Sequence, residues 1–128
     1  MYCYQFETKG RDAMINVDQQ VQKAVKELGI EDGIVTVFCP HSTAGVTINE
    51  SDDPAVQKDI IHRLNDLVPL NLNYEHAEGN SDAHIKAALI GSSVQVPVVK
   101  GRIELGRWQA IYFCEFDGPR KRELWIKA

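Results

Sequence analysis

Apolar and polar positions alternate at three periods along this chain, and the changes of period mark out its elements. Tyr2, Tyr4 and Phe6 alternate, as do Ala13, Ile15 and Val17, with Thr8-Lys9-Gly10-Arg11 between them, which predicts an opening antiparallel hairpin. Val21, Ala24, Val25 and Leu28 then fall on one helical face, with Asp18 placed to cap the helix and Gly29 to stop it. Ile34 to Cys39 is an almost unbroken apolar run and predicts a central strand. Val46 to Asn49 predicts the next strand. Asp53 and Pro54 open a second helix whose buried stripe is expected at Val56, Ile60, Leu64 and Leu67. Asp59 and His62 lie off that stripe, so His62 is expected to face solvent.

Leu70 to Ser81, LNLNYEHAEGNS, is the least regular segment, and a loop of this length in a compact domain is more often functional than idle. A short third helix, Asp82 to Ile90, is capped by Asn80 or Ser81 and closed by Gly91, with His84 in its first turn. The last third reads as strands: Val94, Val96 and Val98 alternate, Pro97 suggests an edge or bulge, Lys100-Gly101 turns, and Arg107 to Phe116 is a long central strand. Asp117-Gly118-Pro119 turns again before a last strand from Arg122 to Lys127. The expected architecture is α+β, a single domain over 1–128, with a mixed, mostly antiparallel sheet, late strands joined as a meander, and helices packed on one face.

Composition narrows the function classes. With 44% hydrophobic and 25% charged residues, the 128-residue chain has enough apolar surface for one ordinary core. A formal net charge of −4 argues against nucleic acid as the main partner. No apolar run approaches a membrane span, and the first residues, MYCYQFETKG, lack a signal pattern, so a cytoplasmic protein without membrane partners is expected. Cys3, Cys39 and Cys114 form no CxxC pair and read as reduced, buried thiols, Cys39 standing out because it lies two residues before His41.

The candidate chemistry lies in FCPHSTAGVTINESDDP, Phe38 to Pro54, and in two later segments. His41, His76 and His84 sit in loops or at a helix start and could converge as metal ligands, although no HExxH-like motif supports a metal and ordinary polar loop residues would look the same. Glu50 and Asp53 lie at a helix start, where the helix dipole already favours an acid. Glu115 interrupts the apolar YFCEF, so a buried carboxylate is expected, with Arg120 or a histidine as its partner. Gly101-Arg102, Gly106-Arg107 and Gly118-Pro119-Arg120 could hold an anion on turn amides and guanidinium groups, or be hairpin turns with solvated arginines.

Three motifs, HSTAGVTINESDDP, NSDAHIKAALIGSS and PVVKGRIELGRWQAIYFCEFDGPRKR, resemble those of the YjbQ-like family of secondary thiamine-phosphate synthases. That resemblance implies a compact α+β homotrimer with polar clefts between subunits. It implies condensation of an aminopyrimidine diphosphate with a thiazole phosphate, releasing pyrophosphate, as a side activity beside an open main role. The family motif positions present here include Asp59, Trp108 and Gln109, and Arg107 stands where the family often has threonine.

The resulting expectation is an enzyme acting on a small anionic metabolite, with His41, Glu50 and Glu115 catalytic. Ser42, Thr43, Asn49, Asn80 and Arg120 would bind substrate, and His41, His76 and His84 would hold a divalent ion, zinc or magnesium. Two other classes fit the same residues: a metal-assisted hydrolase of a small phosphorylated or amide substrate, and a non-catalytic trimeric binding module for an anionic metabolite.

Overall fold

A computed structural model describes residues 1–128. The strands β1 (Tyr2–Glu7), β2 (Ala13–Asn16), β3 (Gly33–Phe38), β4 (Ala44–Glu50), β5 (Ser93–Val99), β6 (Arg102–Ile103), β7 (Gln109–Glu115) and β8 (Lys121–Lys127) are joined by helices α1 (Asp18–Leu28), α2 (Pro54–Leu67) and α3 (Ser81–Ile90). They form two sheets, one in the order β1-β8-β3-β5-β6 and one in the order β2-β7-β4. Every pairing is antiparallel, which replaces the expected mixed sheet.

The period-2 pattern explains how the sheets stack. Val35 and Val37 of β3, Val96 and Val98 of β5, and Leu124 and Ile126 of β8 turn inward to meet Val46 of β4 and Ile111 and Phe113 of β7. Val21, Ala24 and Val25 of α1 complete this core, as their i, i+3, i+4 spacing predicts. The alternate residues of β7, Ala110, Tyr112 and Cys114, turn the other way and pack with Ala83 and Ala87 of α3. β7 is therefore buried on both faces, which is why its sequence is continuously apolar.

Several local expectations change. β1 and β2 do not form a hairpin: β1 pairs with β8 (Tyr2 opposite Ile126) and β2 with β7 (Ala13 opposite Glu115). The segment between them carries the chain from one sheet to the other. The late strands are not a meander either, since β7 and β8 lie in different sheets and only β5 and β6 make a hairpin. Its turn places both Lys100 (φ 52°) and Gly101 (φ 77°) in the left-handed region, as tight hairpin turns require. Pro97 is opposite Ile34 in an interior pairing, with the short β6 on its other side.

Val17 rather than Asp18 precedes α1, and the Asp18 carboxylate instead accepts the Ile111 N–H at 2.7 Å, tying α1 to β7. Asp53 does cap α2, accepting the Ala55 N–H at 2.9 Å with Pro54 beside it. The α2 stripe is not buried: Val56, Ile60 and Leu64 are half-covered and Leu67 is 66% exposed. α3 lies closer to its sheet because Gly45 admits it. A Cβ at Gly45 would stand 2.6 Å from the Gly91 carbonyl oxygen, which in turn accepts the Val46 N–H. No helix is long and apolar enough to cross a membrane.

Candidate functional site

The sequence-predicted residues fall into three groups. The first surrounds Glu115 at the end of β7. Its carboxylate is fully buried and receives the Arg122 guanidinium through Nε (2.7 Å) and Nη2, the Thr8 hydroxyl (2.7 Å) and the Asp117 N–H (3.0 Å). Arg122 Nη2 also donates to the Thr43 hydroxyl at 2.9 Å. The partner is thus Arg122, not Arg120 or a histidine. Arg122 points inward because it shares the register of Leu124 and Ile126, while Lys121 and Lys127 point outward. Burial alone would raise the Glu115 pKa, but the Arg122, Thr8 and Asp117 donors outweigh it and hold the carboxyl below its ordinary range. A carboxylate this fully engaged holds the sheets together and has no free lone pair for acid–base work. Thr43 is buried with it, and Ser42 is exposed nearby.

His41 stands beside this pair in a cavity of about 420 Å³ that it shares with Gln5, Glu7, Lys121 and Glu123. Its Nε2 accepts the Glu123 N–H at 2.8 Å, which fixes that nitrogen as unprotonated and leaves Nδ1 as the only free ring nitrogen. Burial and the neighbouring Arg122 charge both push its pKa below 6.5. Cys39 and Cys114 are buried thiols pushed up to about 11 and about 12, far from nucleophilic, whereas Cys3 is exposed, contrary to expectation, and donates to Glu123.

The His41 and Glu115 shifts have one sign. His41 is held neutral and Glu115 charged in the fold. Each therefore contributes stability that is complete above its unfolded pKa and lost as pH falls through the lower folded one. Urea midpoints are expected to be level above about pH 6.5, to decline below it as His41 of the unfolded chain takes up a proton that the fold resists, and to fall again below about 4.5 as Glu115 does the same. A His41→Gln variant should lose the first decline; a midpoint that rises on acidification would contradict both assignments.

The second group lies at the start of α3. The rings of His76 and His84 meet edge to face with centroids 5.2 Å apart, at a cavity of about 400 Å³ lined also by Tyr74, Glu75, Ser81 and Ile85. Glu78 stands 3.7 Å from His76 Nε2. The segment before α3 is pinned at two points: Tyr74 donates its hydroxyl to the Pro69 carbonyl, and Asn80 Nδ2 donates to Asp117 at 2.8 Å. Asp117 also receives Arg120 Nη2 at 2.9 Å, and the Asn80 side-chain oxygen is buried without a partner.

Beneath these residues is a buried network that the sequence reading missed. Asp82, fully buried, takes both arms of Arg11 (3.2 and 3.1 Å) and Lys86 Nζ (3.0 Å), and Lys86 also donates to Asn65. Burial would raise the Asp82 pKa, and the two cations more than reverse that. The signal in the sequence was an Asp–Lys pair four apart in a helix without a clear apolar stripe, and it reads equally well as a surface pair.

The third group is at the opposite end of β7. Asn49 is exposed and accepts the Glu50 N–H at 2.8 Å, and Glu50 accepts the Asp52 N–H at 2.9 Å. The Glu50 carbonyl receives the Tyr112 hydroxyl at 2.7 Å. Trp108, half-exposed, lies alongside, its carbonyl accepting the Ser51 N–H at 2.9 Å. Asp59 and His62 are exposed on α2.

The three histidines therefore do not converge within one chain. His41 belongs to a separate cavity, and no set of three His, Cys, Asp or Glu side chains assembles as a metal-binding group. His76 and His84 are the two that come together, their rings side by side at an open cavity, and two imidazoles are a donor type that a divalent ion accepts.

Two antiparallel sheets in face contact, α1 closing their core and α2 and α3 covering the smaller sheet, define an α+β protein whose polar groups collect at the two ends of one buried strand. Residues 3–128 match the family model described as UPF0047 protein YjbQ-like, and the chain belongs to that family. It is 46% identical over 127 residues to a UPF0047 protein of Methanocaldococcus jannaschii, covering 99% of this chain and 92% of that one. It is 47% identical over 124 residues to the UPF0047 protein YugU of Bacillus subtilis, covering 96% and 94%. A crystal structure of a YjbQ/UPF0047 family protein from Clostridium acetobutylicum is similar over 99% of this chain and 98% of that one, with a TM-score of 0.96 and 50% identity.

Proposed function

We propose that the chain is an enzyme of small phosphorylated metabolites that works as a homotrimer with its site between copies. The reaction is a thiamine-phosphate synthase-like transfer in which an aminopyrimidine diphosphate and a thiazole phosphate condense and pyrophosphate leaves. The observation that supports it best is the His76–His84 pair at an open cavity, next to Asn80, which Asp117 links to Arg120. Departure of a diphosphate requires its charge to be met, and a divalent ion, zinc or magnesium, supplies that when bound. His76 and His84 would hold the ion. Arg120 keeps Nη1 free of Asp117 for an anionic oxygen, and the Asn80 side-chain oxygen is a buried acceptor without a partner. Asn49 and Glu50, at the end of β4 beside the start of β7, are too far from this cavity to serve it in their own chain, so they take part from a neighbouring copy, where Glu50 would give a proton to the departing pyrophosphate.

Trimer formation is consistent with the exposed apolar residues Ile34, Phe38 and Val99 on the outer face of the larger sheet, which no helix covers. Purified protein assayed for pyrophosphate release and metal content tests the reading. His84→Ala is expected to weaken zinc binding by more than about 10-fold, the loss that removing even an outer partner of a ligand can cause. Metal content and turnover both unchanged in that variant would sink the metal site.

A further inference from the structure

Arg122 has one arm that the fold leaves free. Its Nε and Nη2 are spent on Glu115 and Thr43, but Nη1 has no partner and, unlike the Asn80 side-chain oxygen, is not sealed off from the surface. The side chain is only 3% exposed, and it reaches the surface as part of the wall of the cavity of about 420 Å³ beside His41.

His41 supplies a second donor to the same cavity. A neutral imidazole carries one N–H, and because Nε2 accepts the Glu123 N–H at 2.8 Å the proton sits on Nδ1, which has no partner. This tautomer also makes His41 a poor metal ligand. A ligating imidazole donates through its other nitrogen, whereas here one nitrogen already accepts and the other is protonated.

The rest of the wall is charged in both senses. Glu7 and Lys121 are opposite each other in the β1–β8 register and form no ion pair. Glu123 holds Cys3 and the Trp125 indole on Oε1 and keeps Oε2 unbonded. Glu115 already balances Arg122, which leaves Lys121 as the cavity's remaining cation beside two carboxylates, Glu7 and Glu123. An inorganic anion at the two N–H donors would meet both carboxylates. A plain amine would meet the guanidinium and the ammonium. A molecule carrying both charges a few bonds apart satisfies each, and the volume is that of a small-molecule site.

We infer that this cavity binds an α-amino acid, its carboxylate on Arg122 Nη1 and His41 Nδ1 and its ammonium between Glu7 and Glu123. The site is separate from the His76–His84 cavity, since no residue lines both, and it does not depend on the reaction proposed there.

Thermal unfolding of the full chain with each common L-amino acid at millimolar concentration tests the site. At least one is expected to raise the midpoint by about 3 °C or more, as a ligand well above its Kd does for a domain of this size. The amide of that amino acid, which lacks the carboxylate, and its deaminated acid, which lacks the ammonium, are expected to leave the midpoint unchanged. Calorimetric titration is expected to show binding weakened about 10-fold or more in Glu7→Lys, a change at an exposed position. No shift from any amino acid overturns the site. A shift matched by the deaminated acid or by inorganic phosphate overturns the choice of a zwitterion. Binding unchanged by Glu7→Lys overturns the placement in this cavity, and none of these results bears on the pyrophosphate assay.

Discussion

Replacing Arg122 by alanine is expected to lower the unfolding free energy by about 3–5 kcal/mol, because it leaves a carboxylate buried without its counter-charge. Glu115 is fully buried, and its remaining donors, the Thr8 hydroxyl and the Asp117 N–H, cannot replace a guanidinium. The same guanidinium satisfies the Thr43 hydroxyl, so the ion pair ties together the segments just after β1, just before β4, at the end of β7 and in β8. Those segments belong to both sheets, and the loss is expected to be felt across the whole fold. Domains of this kind have only about 5–15 kcal/mol in total, so the variant should unfold at a much lower urea concentration. Pairing Arg122→Met with Glu115→Gln should recover much of the difference, since neither buried charge then stands alone. A single variant with the wild-type midpoint would show that the pair is not stabilising the fold.

Asp82→Ala is expected to cost a similar amount, about 3–5 kcal/mol, for the opposite reason: it strands a cation. Lys86 is 1% exposed, and its ammonium has only Asp82 and Asn65 as partners. Arg11 is partly exposed and can turn toward water, so most of the loss falls on Lys86. The added change Lys86→Met should give a double variant more stable than Asp82→Ala alone. That non-additivity is the signature of a direct pair and is read by denaturant unfolding of the two singles and the double. Additive losses would mean that the two residues act separately.

The sequence revealed elements better than partners. The apolar runs of β3 and β7 identify them as interior strands, and Asp53-Pro54 and Gly29 mark helix ends, because each signal is local and its physics is complete within a few residues. Alternation in β1 and β2 shows that they are strands, but nothing in a strand's own pattern says which edge it joins; both join strands about a hundred positions away. The α2 spacing gives a stripe without giving something to cover it. For the site, the buried carboxylate at Glu115 was legible from its apolar neighbours. Choosing Arg122 over Arg120 required the register of β8, where one position inward or outward decides between core and solvent. The His76–His84 pairing was legible from their spacing across a glycine turn, whereas His41 looked similar and is held by a backbone N–H that no pattern announces.

The pairing of the first strand with the last has a kinetic side. β1 lies at the edge of the larger sheet with β8 as its sole neighbour in that sheet, so β1 has no strand to pair with until β8, more than a hundred residues further along, is in place. Until then Tyr2, Tyr4 and Phe6 lack the strand that holds them against the core. Closing almost the whole chain into one loop costs conformational entropy before that contact returns any stability, which places β1 docking late and makes folding slow for a chain of this size.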